Sequence, residues 1–295
     1  GDAEEENLDA VRTQSGSVME KGKTGAGFIY QYLNFVAYKG FDLRTAFINE
    51  GKYNFRKYEV GKSYFVSHGV TDKMTLSLYI NDFFIEEKYF TWTDTNKNSR
   101  IDEKTDTIEN ITNTYRDLAQ VWIQSNYQLS KESNNFKLAV NNILMLPTGY
   151  EEKVSSNGTV VYLGFSFSQK IMKSFFMGNI GYSYYGITST INERTGNSFQ
   201  YYPGDAIACR LAVTYPFSTK ITAGGELIGS YYFKPKTSSG EVFGEQYDGI
   251  DFSPMVKFKI TPNTVFYSSI SYKLRDNLPW GYDYGYIFGL NYLFE

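Results

Sequence analysis

The chain closes on Gly281 to Glu295, GYDYGYIFGLNYLFE, and this stretch restricts the fold more than any other. Read in alternation, Tyr282, Tyr284, Tyr286, Phe288, Leu290, Tyr292 and Phe294 share one face. Asp283, Gly285, Ile287, Gly289, Asn291 and Leu293 share the other. Successive side chains of a strand point to opposite sides, so an extended chain here presents an unbroken aromatic surface. Water makes such a surface costly. Lipid does not, and a strand that crosses a bilayer carries aromatics where it meets the headgroups. The stretch predicts an all-β chain, a transmembrane antiparallel up-and-down β-barrel.

Bulk properties agree without deciding the matter. No run of about 18 apolar residues occurs, which excludes a transmembrane helix. A mean hydropathy of −0.39 is what alternating strands average to. Aromatics at 18%, with 26 Gly against 7 Pro, would also suit a soluble β-sandwich, so the strand pattern must separate the two. A net charge of −3 offers no basic surface, which argues against a nucleic-acid partner. The single cysteine, Cys209, excludes an internal disulfide and a Cys-based zinc site. Its apolar strand face predicts a buried, inert thiol. No signal peptide begins at Gly1, so the sequence reads as a mature form.

Residues 1–23 differ from the rest. Asp2, Glu4, Glu5, Glu6 and Asp9 make the segment acidic, and it has no aromatics. It is expected as a disordered periplasmic tail or as a short plug folded back into the lumen. Residues 24–295 are expected to form the barrel. They hold about twelve segments of strand character, at 25–38, 54–69, 74–92, 112–129, 135–147, 159–171, 175–191, 205–217, 220–236, 248–261, 264–277 and 282–295. Tight links such as Gly69 to Lys73, Phe217 to Lys220 and Thr261 to Asn263 alternate with long polar ones at 39–53, 93–111, 148–158, 192–204 and 237–247. Outer-membrane barrels sort their connections this way, with short turns in the periplasm and longer loops outside the cell.

Alternation also assigns faces. Val161, Leu163, Phe165 and Phe167 belong to lipid, opposite Tyr162, Gly164, Ser166 and Ser168. Cys209, Leu211, Val213 and Tyr215 oppose Ala208, Arg210, Ala212 and Thr214. In the fourth segment Ala119, Val121, Ile123 and Tyr127 oppose Gln120, Trp122, Gln124 and Asn126. A cation at the lipid midplane costs about 2–4 kcal/mol, whereas a lumen-facing one costs little. Arg210, Glu226, Lys257 and Lys259 are therefore placed in the lumen with Trp122 and Tyr162, as candidate residues of a substrate path.

Two motifs carry possible chemistry. Asp94, Asn96, Asn98 and Asp102 fall at alternate positions, as in a loop that wraps a calcium ion with oxygen ligands. Ser99 stands where such a loop has glycine and Thr105 where it has its bidentate glutamate. The alternative to a weak structural calcium is a solvated polar loop, and no other cofactor is expected. His68, the only histidine, lies near Ser63 and Ser67. Ser67 and His68 are neighbours and so point to opposite faces, which argues against a hydrolytic pair. No enzyme activity is predicted. Gly289 to Phe294 resembles the terminal signal read by the barrel-assembly machinery, with Glu295 following the final aromatic.

Three stretches resemble the family of outer-membrane proteins assigned to the MetA pathway of phenol degradation. They are Ser67 to Leu76 (SHGVTDKMTL), Asp117-Leu118 leading into Ser125-Asn126-Tyr127, and Leu146-Pro147-Thr148-Gly149. Ser67-His68 replaces an aromatic position, and Arg116 stands where glycine is common. The resemblance implies a monomeric barrel in the bacterial outer membrane that takes up small hydrophobic compounds. The expected function is a porin-like channel for passive uptake of small apolar or aromatic solutes. The alternative is a structural or docking barrel that holds an extracellular or periplasmic protein.

Overall fold

The computed structural model describes residues 17–34, 51–93, 107–130, 135–149, 158–191, 198–237, 240, 246–276 and 284–294. The strands in chain order are β1 (Thr24–Asn34), β2 (Gly51–Thr71), β3 (Met74–Thr93), β4 (Thr107–Gln128), β5 (Phe136–Pro147), β6 (Val160–Ile171), β7 (Ser174–Tyr185) and β8 (Thr188–Ile191). They continue as β9 (Ser198–Tyr202), β10 (Ala206–Pro216), β11 (Ile221–Tyr232), β12 (Lys236–Thr237), β13 (Tyr247–Thr261), β14 (Thr264–Asp276) and β15 (Tyr284–Phe294). Twelve of them close into one antiparallel barrel, and β8, β9 and β12 form a separate small sheet.

Closure is made by the aromatic C-terminal strand. β15 pairs with β14 through Phe266↔Leu290 and with β1 through Gly27↔Asn291. Every barrel strand thereby has two neighbours, and no edge of unpaired N–H and C=O groups is left for lipid to meet. Outward side chains are apolar on each strand: Leu78 and Ile80 on β3, Leu163 and Phe165 on β6, Ile180 on β7, Leu211 and Val213 on β10, Phe288 and Leu290 on β15. Exposed rings stand toward both ends, with Tyr182, Tyr184 and Tyr272 at one and Tyr215, Phe217, Tyr292 and Phe294 at the other. This is an outer-membrane β-barrel, and its solvent on the outer face is the lipid of the outer membrane.

Three expectations change. The strand expected over 175–191 ends at Tyr185, and its remainder joins β8; similarly Lys236 leaves β11 for β12. The long loops thus carry a small sheet of their own, β12-β9-β8. Cys209 is exposed on the outer wall, not buried. The apolar face was assigned correctly, but in a barrel that face meets lipid, not a protein core. The bulge between β3 and β4 sets Asp82 opposite Leu118 directly after Asn81↔Gln120, leaving Ala119 outside the ladder. The outward phase consequently passes from Ile123 to Leu118 and Arg116.

β2, β3 and β4 run for 21, 20 and 22 residues. About 9–11 tilted residues cross a bilayer, so these strands project well beyond the membrane on the loop side. At the opposite, periplasmic mouth the chain before β1 turns inward. Gly22, with φ of 80°, donates to the Gly69 carbonyl at 2.8 Å, and the Gly69 amide donates to the Lys23 carbonyl at 2.9 Å. The Met19 amide donates to Thr75 Oγ1 at 2.7 Å, and Thr75 is a buried residue of the inner face. Residues 17–23 therefore lie against the inside of the mouth. Residues 1–16 are outside the described residues.

Candidate functional site: the barrel lumen

The inner wall alternates with the apolar outer one and is polar over most of its circumference. Neighbouring strands are joined there by short side-chain bonds: Ser63 Oγ donates to Asn81 at 2.5 Å, Ser166 Oγ to Asn141 at 3.3 Å and Ser253 Oγ to Ser271 at 3.0 Å. Ser67 and Ser77 hydroxyls meet at 2.7 Å. Such pairs satisfy groups that would otherwise stand unbonded in a narrow space.

On β2, β3 and β4 the wall becomes aromatic. Phe65 stacks on Tyr79 with centroids 5.2 Å apart, and Tyr79 meets Trp122 at 6.0 Å. The register makes Phe65↔Tyr79 and Tyr79↔Trp122 direct cross-strand neighbours. Trp122 is fixed further by its Nε1–H, which donates to Gln120 Oε1 at 2.8 Å. Each pair of this kind contributes about 0.5–1.5 kcal/mol beyond its buried area.

Glycines in the partner strands give some of these inner rings room to lie against the wall. A Cβ at Gly27 would stand 2.5 Å from Phe65 Cζ, and one at Gly61 would stand 3.0 Å from Phe83 Cε1. Tyr162 occupies the Cβ space of Gly164 and Gly181, and Tyr267 that of Gly289. Gly27↔Phe65, Gly61↔Phe83 and Tyr267↔Gly289 are directly opposed in register. An aromatic ring laid over a bare strand backbone covers it and keeps its face toward the interior.

The charged candidates occupy the opposite arc. Arg210 on β10 opposes Asn179 and Ile228. Glu226, fully buried, is set between Ala212 and Ser253. Lys257 opposes Thr222 and Tyr267, and Lys259 stands nearest the periplasmic turn, opposite Val265. Asp251 and Lys273 add an inner ion pair at 3.4 Å. Tyr267 opposes Lys257 on one side and Gly289 on the other. All six sequence-derived positions, Trp122, Tyr162, Arg210, Glu226, Lys257 and Lys259, point inward, although Trp122 belongs to a different arc from the rest. Phe65, Tyr79, Phe83 and Tyr267 were missed. For Phe65, Phe83 and Tyr267 the signal is a glycine in the partner strand, visible only once the register is known.

The remaining motifs separate from this site. His68 accepts or donates at Nδ1 with Thr24 Oγ1, 2.8 Å away, while Ser63 and Ser67 are engaged with Asn81 and Ser77. No Ser–His pair forms. Asp94, Asn96, Asn98 and Asp102 lie outside the described residues. Among the described residues no group of three or more His, Cys, Asp or Glu side chains could hold a metal ion.

No family model matches the chain, and no curated protein matches it in sequence. Its fold is similar to that of an outer membrane channel from Pseudomonas putida F1, with a TM-score of 0.70 and 11% identity over 97% of this chain and 100% of that one. Looser likenesses are the NanC porin (TM-score 0.48, 13% identity, 82% of this chain and 97% of that one) and the CymD monoaromatic hydrocarbon channel (0.43, 9%, 93% and 88%). At these identities the first likeness shows a shared barrel fold.

Proposed function

We propose that the protein is a passive channel for small apolar or aromatic molecules. The observation that carries this reading is the inner aromatic arc, Phe65–Tyr79–Trp122, whose Phe65 is seated over Gly27 on the inner wall. An aromatic solute exchanges ring–ring contacts with such an arc and leaves water cheaply. On the facing arc Arg210 and Lys259 keep the path hydrated and give polar substituents partners. The test is flux into liposomes holding the purified chain, with benzyl alcohol and a disaccharide compared. Faster entry of benzyl alcohol than into protein-free liposomes, with the disaccharide excluded, is expected. Equal entry with and without protein refutes the channel.

Residues 17–23, seated inside the periplasmic mouth, support a second element of the proposal: the acidic segment 1–23 acts as a plug in preference to a free tail. A chain beginning at Thr24 then conducts more than the full one. A docking barrel is the competing reading. It is favoured by one observation, the complete burial of the inner residues Asn81, Ser166, Ser253 and Ser271, each 0% exposed, as in a narrow lumen. Sealed membranes together with a stably co-purifying protein would establish it.

A further inference from the structure

On β1–β4 the apolar surface of the outer wall is interrupted by charge. A cavity of about 500 Å³ opens across β1–β4, lined by Tyr30, Tyr32, Tyr58, Phe84, Lys62 and Arg116 together with Val60 and Asp82. Lys62 opposes Tyr30 on one side and Asp82 on the other, and Arg116 opposes Phe84. These residues share the outward phase of Tyr64, Ile80 and Leu118, all exposed. Counting upward from the short β2–β3 turn, Met74 to Phe84 already supplies the about 9–11 tilted residues that cross a bilayer. The cavity is therefore at the headgroup level of the outer leaflet. At comparable height the other strands present Val161, Tyr184 and Ile207.

The charges are arranged for an anion. Arg116 donates to Asp82 through Nη2 at 3.1 Å and Nε at 3.5 Å, yet its side chain is 68% exposed. Asp82 thus fixes the guanidinium while leaving other N–H donors of its fork directed outward. Lys62 brings three further donors and a second positive charge, so the notch carries two cations against one carboxylate. Glu86, the next acidic group above, receives the Tyr58 hydroxyl at 2.9 Å. Below the cations, Phe28, Tyr64 and Phe288 continue an aromatic surface, with Phe28–Tyr64 centroids at 5.2 Å and Tyr30–Phe288 stacked at 4.7 Å. A phosphate above acyl chains matches both parts, because guanidinium and ammonium groups bind phosphate oxygens strongly where water is scarce.

We propose that this notch binds one lipid of the outer leaflet that carries a phosphate monoester, as lipid A does, with that phosphate on Lys62 and Arg116 and the chains over Tyr64 and Phe288. The site is outside the barrel, so it stands or falls independently of any channel activity. The test is native mass spectrometry of the full chain in detergent titrated with lipid A, with phosphatidylethanolamine and inorganic phosphate as parallel probes. One lipid A per chain is expected, bound about tenfold more weakly after Lys62→Gln or Arg116→Gln, and undiminished after Lys62→Arg. Heat-modifiable gel mobility checks that each variant is folded. Equal binding by the Gln variants, equal binding of phosphatidylethanolamine, or displacement by millimolar inorganic phosphate would each overturn the proposal.

Discussion

Replacing Gly27 by Ala tests whether the inner aromatic arc is held flat by the wall. The new Cβ would stand 2.5 Å from Phe65 Cζ, 2.6 Å from Phe65 Cε1 and 2.7 Å from Asn291 Oδ1. Ordinary carbon contacts lie at about 3.5–4.0 Å, so the Phe65 ring must withdraw by roughly 1 Å or more. Withdrawal moves it toward the lumen axis and away from Tyr79, with which it stacks at 5.2 Å. Overpacking of this kind costs about 1–3 kcal/mol, and loss of the ring pair about 0.5–1.5 kcal/mol. The terms overlap, since a ring that tilts relieves one by losing the other, and an unfolding loss of about 1–3 kcal/mol is expected. Urea unfolding in detergent measures it, and liposome flux of benzyl alcohol should fall in parallel. In the Phe65→Ala background the same Gly27→Ala change should cost close to nothing, and flux should match that of Phe65→Ala alone. A cost that persists without the ring would place the conflict on Asn291 instead, and would refute the argument that glycine is there to seat the aromatic.

The other expectations are shorter. Leu211→Arg, on the lipid face, should destabilise the folded barrel by about 2–4 kcal/mol, whereas Ala212→Ser on the neighbouring inner face should lie within about 1 kcal/mol of the parent; urea titration compares them. A fluorophore on Cys209 should be quenched by brominated lipid and not by iodide, and the reverse pattern would turn the strand inside out. Gly69→Ala would set a Cβ into the Glu20 carbonyl, so residues 17–23 should become protease-sensitive and conductance should rise while the barrel keeps its gel mobility. His68→Ala should change only the bond to Thr24, a loss of about 0.5–1.5 kcal/mol, with lipase activity absent before and after it.

The barrel itself was legible because its period of two runs through every strand and its medium is apolar outside. Placement of Arg210, Glu226, Lys257 and Lys259 followed from the cost of charge in lipid, a rule that needs no knowledge of pairing. What escaped depends on pairing. Ala119 left the phase because it is the extra residue of a bulge on β4, facing the step from Asn81 to Asp82 on β3, and nothing in the β4 sequence marks it. Phe65, Tyr79 and Phe83 read as interruptions of a polar inner face until Gly27 and Gly61 are found opposite two of them. Lys62 and Arg116 break the rule that located the other cations. They face outward, and they can do so only because height along the strand, as well as phase, sets the dielectric around a side chain.

Height and phase together explain why the two arcs of the lumen differ. β2–β4 are the longest strands and extend beyond the bilayer, so their membrane-spanning part must hold the hairpins that project from it. Within that span the ring contacts Phe65–Tyr79 and Tyr79–Trp122 tie the three strands together, with Phe65 seated on Gly27. β10–β14 are shorter, 11 to 15 residues for β10, β11, β13 and β14, and are confined by lipid over nearly their whole length. Serine ladders and the Asp251–Lys273 pair suffice to join them. The aromatic arc is thus a consequence of how the long hairpins are braced as well as a surface for solutes. If bracing were its only role, Trp122→Phe would preserve both stability and flux selectivity. If solutes also use the arc, the loss of the indole should change the benzyl alcohol rate at nearly constant stability, and that separation is the measurement that assigns the arc to transport.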